Sequence, residues 1–479
     1  MKPFLFIMML GGFAEAATLQ PISFEEAIDV ALKENLEIKI VRQDYEIAQN
    51  LLSQAEGIWD LRLKNETNFL HQKEPQAFEF FGLIQKTFDW NFHLLKKIPL
   101  GTEFTLEFLN ERFDTNSAFY TINPSYDVKY GLGIKHPLLQ NWFGANDRAS
   151  VEQAAIKAED LDLGTAENIE KIAVKVSHAY WDLALGEANV SIRQKHLDQA
   201  RQLNDFREKK FRDGLIEEPE LYASKANLAE RENDFILAKQ ELELKSNELA
   251  LHLGNPLGSY RAKSLLKFQE VEVSFQDGLE YAKQHRRDFR QAKLKFQNAD
   301  LGYQVAYNKL LPRFDLEGTL HYGGLDDDYG ASIRETSKFI FPIWYVGVEF
   351  EYPLENRKAN SDWHVAQSER VKADVGIRLA EQRIEQEVRN QVLIIQTLME
   401  QVKNRQRIQE FEGKKLKEET GKFERGRSKI DVVIDYQKDL RNTELALAKA
   451  KAEYLHALVD WEDVQDRYFE GKRFAKEMK

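Results

Sequence analysis

The chain has 479 residues, of which 43% are hydrophobic and 30% charged; it is too apolar for a disordered chain and too polar for a bundle of membrane helices. Cysteine is absent, which excludes disulfides, thiolate metal sites, iron–sulfur clusters and cysteine nucleophiles. Basic residues number 67 against 79 acidic ones, a net charge of −12, and such a chain is a poor general nucleic-acid binder because phosphate binding needs clustered Lys and Arg.

Residues 1–16 read as an export signal. Lys2 supplies the positive start, Phe4 to Phe13 form an apolar run, and Ala14-Glu15-Ala16 is a small-x-small cleavage site. The run is too short to span a bilayer. No later stretch approaches about 18 apolar residues, so a place in a membrane would have to be taken by strands.

The remainder reads as two copies of one unit, 22–256 and 273–468, with a linker at 257–272 and a tail at 469–479. Ser23-Phe24 and Ser274-Phe275 open the copies 251 residues apart, and Ala31 then matches Ala282 and Ala48 matches Ala299. His136-Pro137-Leu138 matches Tyr352-Pro353-Leu354. Phe211-Arg212-Asp213-Gly214 matches Phe423-Glu424-Arg425-Gly426 at a spacing of 212. The spacing shrinks because the strand-rich region of the first copy carries a longer insertion.

Proline marks the ends of elements, since helix interiors exclude it. The proline-free stretches predict helices over 23–57, 143–213, 219–253, 275–310, 357–424 and 429–465. Apolar residues recur every seven: Ile169, Val176, Leu183, Val190 and Leu197, then Asn204 as a break, then Phe211. The second copy gives Val388, Ile395 and Val402, a break at Gln409, then Leu416 and Phe423. Sustained sevens predict helices that coil around neighbours. The long helices would each span roughly 105 Å and the short ones roughly 50 Å, so two short helices end to end equal one long one.

The regions 59–137 and 313–354 alternate instead. Leu61, Leu63 and Phe69 interleave with Arg62, Lys64, Glu66 and Asn68, and the same period recurs over 102–108, 126–130, 314–322 and 345–352. Period two with aromatics at the ends suits a barrel wall with one lipid face and one wet face, and also suits an ordinary half-buried sheet. About four strands per chain are expected, too few to close a barrel, so closure needs several chains. Residues 72–125 are long for a loop, and Gly101 to Arg112 reads as an additional strand or hairpin that widens the wall, covers it or plugs it.

With this duplicated helix–strand–strand–helix unit, the sequence resembles the TolC family of outer-membrane efflux proteins. The carriers are the strand-end segments Gly133-Ile134-Lys135-His136-Pro137-Leu138-Leu139 and Gly347 to Leu354, the tip motifs at 211–216 and 423–426, and Leu249-Ala250-Leu251-His252-Leu253-Gly254. The resemblance implies a mainly α fold with membrane strands: three chains sharing a 12-stranded barrel above a helical tunnel through the periplasm. It implies a passive outer-membrane channel of a tripartite efflux or type I secretion system, surrounded by outer-membrane lipid. An inner-membrane transporter and a periplasmic adaptor would dock at the lower end. No enzyme activity, cofactor, metal or nucleic acid belongs to that role.

The resemblance also places a gate at the helix turns. Asp435 falls on the family's second aspartate ring, and Val432 occupies the first, with Asp431 one residue early. Asp431 and Asp435 are four apart and share a helix face; a first-turn carboxylate suited to the helix dipole is the other role open to Asp431. Arg427 is the nearest match to the family's closing arginine, with Ser428 at its expected place. Gly214 and Gly426 fit helix ends that need positive φ. Leu215, Ile216 and Ile430 beside them either dock an adaptor or close their own hairpins. Gly323 to Asp328 lacks the spacing of a calcium loop and reads as a strand connection. A periplasmic coiled-coil structural or adaptor protein without a barrel is the alternative function.

Overall fold

The computed structural model describes residues 20–75 and 82–470, so the expected export signal and most of the 469–479 tail lie outside the described residues. In chain order the elements are β1 (Gln20–Ile22), α1 (Phe24–Glu34), α2 (Leu36–Glu56), β2 (Leu61–Lys73), β3 (Ile84–Lys97), β4 (Glu103–Thr115), β5 (Ser125–Pro137), α3 (Ala145–Arg212) and α4 (Glu218–His252). There follow β6 (Tyr260–Ala262), α5 (Phe275–His285), α6 (Arg287–Asn308), β7 (Arg313–Asp326), α7 (Tyr329–Thr336), β8 (Pro342–Glu351), α8 (Arg357–Glu424) and α9 (Ile430–Val464). They form two compact units. One is mainly helical, drawn from residues 20–45, 163–290 and 379–470; the other, from 46–75, 82–162 and 291–378, holds the main sheet.

The duplication is visible element by element. Helices α3 and α8 have 68 residues each, and α4 and α9 have 35 each, both pairs starting 212 positions apart. Helices α1 and α5 have 11 residues each. Ser23 caps α1 in a reciprocal box: its hydroxyl accepts from the Glu26 amide at 3.2 Å while its own amide donates to the Glu26 carboxylate at 2.8 Å. Ser274, 251 positions later, accepts from the Asp277 amide at 3.4 Å.

The helices expected as single over 23–57 and 275–310 are each broken. The breaks fall at Asn35 and Arg286, again 251 positions apart, with ψ of 127° and 125°. Asn35 Oδ1 accepts from the amides of Glu37 at 2.7 Å and Ile38 at 3.1 Å and so starts α2 anew. In the second copy Asp466 accepts from the Arg287 amide at 2.8 Å and Asp288 from the Phe289 amide at 2.8 Å. Short polar side chains offer the backbone a partner outside the helix; no proline is involved.

In the helical unit Ile169, Val176, Leu183 and Leu197 are buried, as are Val388, Ile395, Val402, Leu416 and Phe423. Ala27 and Ala31 of α1 pack with Val176, Tyr180 and Leu249, and Ile28 and Leu32 with Ile169 and Ile172. The break at Asn204 is a buried polar contact, its side-chain oxygen accepting from the Ser224 hydroxyl at 3.2 Å.

The main sheet has six strands in the order β2-β3-β4-β5-β7-β8, every neighbour antiparallel. This corrects the expected four. The described part of the insertion supplies β3 and β4, a hairpin lying in the plane of the sheet between β2 and β5 and not across its face. The expected loop at 323–328 also differs: β7 runs to Asp326, and Asp328 accepts from the Ala331 amide at 2.8 Å to cap α7. That helix lies on the sheet, Ser332 donating to the Gly324 carbonyl at 2.7 Å and Thr336 to the Val128 carbonyl at 2.9 Å. Among the described residues no helix is long and apolar enough to cross a membrane.

Candidate functional site

Side chains one and two positions apart in a strand point to opposite and equal faces, so register decides whether a sheet is amphipathic as a whole. Here Leu63, Leu94, Leu106, Leu132, Leu320 and Trp344 are successive cross-strand partners and make one row across all six strands. The next row on that face is Asn65, Phe92, Phe108, Tyr130, Tyr322 and Pro342. Its aromatic rings stack, Phe92 on Phe108 at 6.4 Å and Phe108 on Tyr130 at 5.4 Å. An apolar band beside an aromatic row is the arrangement of a lipid-facing wall.

The opposite face is polar and interlinked. Lys135 reaches Asp315 at 3.3 Å, Glu349 at 2.8 Å and also Glu317. Arg313 contacts Asp315 at 2.8 Å, Glu349 at 3.3 Å and Glu351 at 3.5 Å. Glu107 stands between His321 at 2.7 Å and His93 at 3.3 Å. Among the described residues no group of His, Cys, Asp and Glu could hold a metal ion.

The two helix turns share one geometry. Gly214 has φ 70° and Gly426 φ 74°. The Gly214 amide donates to Phe211 at 3.0 Å and the Leu215 amide to Lys210 at 2.9 Å; the Gly426 amide donates to Phe423 at 2.9 Å and the Arg427 amide to Lys422 at 2.9 Å. These paired bonds close a helix end through a left-handed residue. The surroundings differ. Leu215 is 68% exposed, whereas Ile430 is 3% exposed and packs with Leu416, Phe423, Val433 and Leu440. Ile430 therefore closes its own hairpin, while Leu215 and the half-buried Ile216 remain at the turn.

Asp431, Asp435 and Arg427 are exposed and have no ion pair among the described residues. Ser428 donates to Glu419 at 2.5 Å, which holds the Glu419 carboxyl below the ordinary carboxylate range. Reading the sequence in one dimension missed this bond, which ties the turn to the preceding helix.

It also missed a buried polar belt between α3, α4 and α9. Asp234 receives Arg193 at 3.2 Å, Arg231 at 2.8 Å and Arg441 at 3.2 Å. Glu444 receives Lys195 at 2.7 Å and His196 at 2.8 Å. Burial pushes the Glu444 carboxyl up, but the hydrogen bonds from His196 and Lys195 outweigh it and hold it below the ordinary range. Closer to the turns, Arg207 pairs with Glu220 at 2.9 Å and lies 4.7 Å from the Phe423 ring.

Residues 278–460 match the outer membrane efflux protein family. No curated protein sequence matches the chain. The structure is similar to the CmeC outer membrane channel of Campylobacter jejuni, with 15% identity, a TM-score of 0.71, and coverage of 95% of this chain and 88% of that one. It is similar to the outer membrane protein VceC of Vibrio cholerae, with 15% identity, a TM-score of 0.69, and coverage of 93% and 97%. The open-state MtrE outer membrane channel of Neisseria gonorrhoeae gives 16% identity, a TM-score of 0.68, and coverage of 93% and 89%. The second half of the chain thus carries the match to the outer membrane efflux protein family, and the described chain as a whole has the fold of these outer-membrane channels.

Proposed function

We propose that three copies of the chain form a passive exit duct in the outer membrane, with their sheets as a barrel and their helices as a periplasmic tunnel. The observation that carries this is the leucine row crossing a sheet whose outer strands, β2 and β8, have no partner on one side among the described residues. Unpaired backbone groups along such edges are a liability unless another chain covers them, and in lipid they are not tolerated. The duct would serve a tripartite efflux or type I secretion system, coupled to an inner-membrane pump through a periplasmic adaptor. In this assembly Asp435 and Asp431 ring the lower entrance, Arg427 helps to close it, and the turns at Gly214, with Leu215 and Ile216, and at Gly426 meet the adaptor. Ile430, buried in its own hairpin, is not available to that surface.

Fractionation and reconstitution test the proposal. The protein should need detergent for extraction, run as a heat-resistant trimer, and give stepwise conductance in planar bilayers. A protein soluble without detergent and silent in bilayers would instead be a periplasmic coiled-coil component.

A further inference from the structure

The β3–β4 hairpin changes the size of the wall. It is hydrogen-bonded along its whole length, with Leu61 to Lys73 paired to β3 on one side and Glu103 to Phe113 paired to β5 on the other. Over the end of the hairpin nearest β2's start its residues follow the same facial division as the rest, whereas towards the other end Lys86, Asn110 and Arg112 fall on the apolar side and Leu109 and Phe113 on the polar side. Phe88, Phe92, Leu94, Phe104, Leu106 and Phe108 lie on the apolar face, and Asp89, His93, Glu103 and Glu107 on the polar face. The hairpin is therefore built as wall and not as a surface appendage.

We infer that the closed barrel has eighteen strands, six from each of three copies, and that β8 of one copy pairs with β2 of the next through a charged seam. This rests on the trimer proposed above. Strand β2 starts at the end of the sheet where β8 finishes, since the six strands alternate in direction. A β8–β2 junction between copies is then antiparallel like every junction within the chain.

The polar face of β2 carries Arg62 and Lys64 near that end, and the polar face of β8 carries Glu349 and Glu351 there. On the apolar side Leu61 and Leu63 would meet Val348 and Phe350. Each of the four charged side chains pairs within the chain, Arg62 with Glu103, Lys64 with Glu66, and Glu349 and Glu351 with Arg313, yet keeps substantial exposure for a partner across the seam: 60% for Arg62 and Lys64, 44% for Glu349 and 64% for Glu351. Opposite charges facing each other across strands stabilise a pairing and select its partner. Since barrel diameter grows roughly linearly with strand number, eighteen strands give a bore about half as wide again as twelve.

The chain has no cysteine, which permits a clean test. With Lys64→Cys and Glu349→Cys together, a short bismaleimide applied to outer membranes should yield covalent dimers and trimers. Either substitution alone should leave monomers on denaturing gels. Reversing the β2 charges (Arg62→Glu with Lys64→Glu) should lower the trimer fraction about five-fold, and adding Glu349→Lys with Glu351→Lys should restore it. End-on images of the purified wild-type trimer should resolve eighteen strands. A trimer that shows twelve strands, or whose paired cysteines do not cross-link, overturns the inference and leaves the duct standing; a chain that forms no membrane oligomer overturns both.

Discussion

Arg441 of α9 reaches Asp234 of α4 at 3.2 Å, so one carboxylate ties a helix of the second repeat to a helix of the first. Arg193 and Arg231 share it. Removing the charge of Asp234 would take the carboxylate from the largely buried Arg441 and leave the buried Arg231 with Glu230 alone. Breaking one side of such a pair costs about 3 kcal/mol or more. Asp234→Asn should therefore lower the thermal midpoint of helical circular dichroism clearly, whereas Asp198→Asn, on an exposed ion pair, should lower stability by less than about 0.5 kcal/mol and barely move the midpoint.

Glu444 sets a pH dependence. Its folded pKa lies below the value in an unfolded chain, about 4.3, so its contribution is complete above that value and is lost as pH falls through the folded pKa. Urea unfolding between pH 7 and pH 3 should show stability falling below about pH 4.3. Glu444→Gln should be less stable than wild type at pH 7, with the difference shrinking at pH 3.

The turn glycines give a steric control. A Cβ at Gly426 or at Gly214 would meet nothing within 4 Å, so only backbone strain opposes alanine there. Gly426→Ala and Gly214→Ala should each cost about 1 kcal/mol, and Gly426→Asn less, because Asn tolerates the left-handed region. Chemical unfolding of the three variants would read this order.

The gate assignment predicts selectivity. If carboxylates of Asp435 line the entrance, Asp435→Asn should lower the cation-over-anion permeability ratio roughly two-fold or more, measured as reversal potential in a salt gradient. Asp431→Asn should do less. Arg427→Ala should raise conductance and antibiotic entry; unchanged values would remove Arg427 from the gate.

Much of the fold was legible because its signals are local. The 212 spacing of Gly214 and Gly426 and the 251 spacing of Ser23 and Ser274 mark the start or end of helices in each repeat. The sevens at Val388, Ile395 and Val402 fall on the buried seam. The breaks at Asn35 and Arg286 were not legible: Asn35, which accepts from the amides of Glu37 and Ile38, looks in sequence like any polar helix residue, and the Asp466 carboxylate that accepts from the Arg287 amide lies 179 positions away. Strand β3 was legible in principle: Phe88, Trp90, Phe92 and Leu94 alternate with Asp89, Asn91 and His93. Its flanks, Lys86 and Lys96-Lys97, make it look like an exposed connection until its partners are known. The Asp234 and Glu444 contacts join residues up to 249 positions apart, and no spacing rule encodes those.

The hairpin inserted between β2 and β5 has a topological corollary. A strand added singly would reverse the course of all that follows and deliver the next helix on the wrong side of the bilayer. Additions in twos leave every downstream segment pointing as before, so the calibre of such a conduit can change only in discrete steps: two strands per copy, multiplied by the symmetry of the ring.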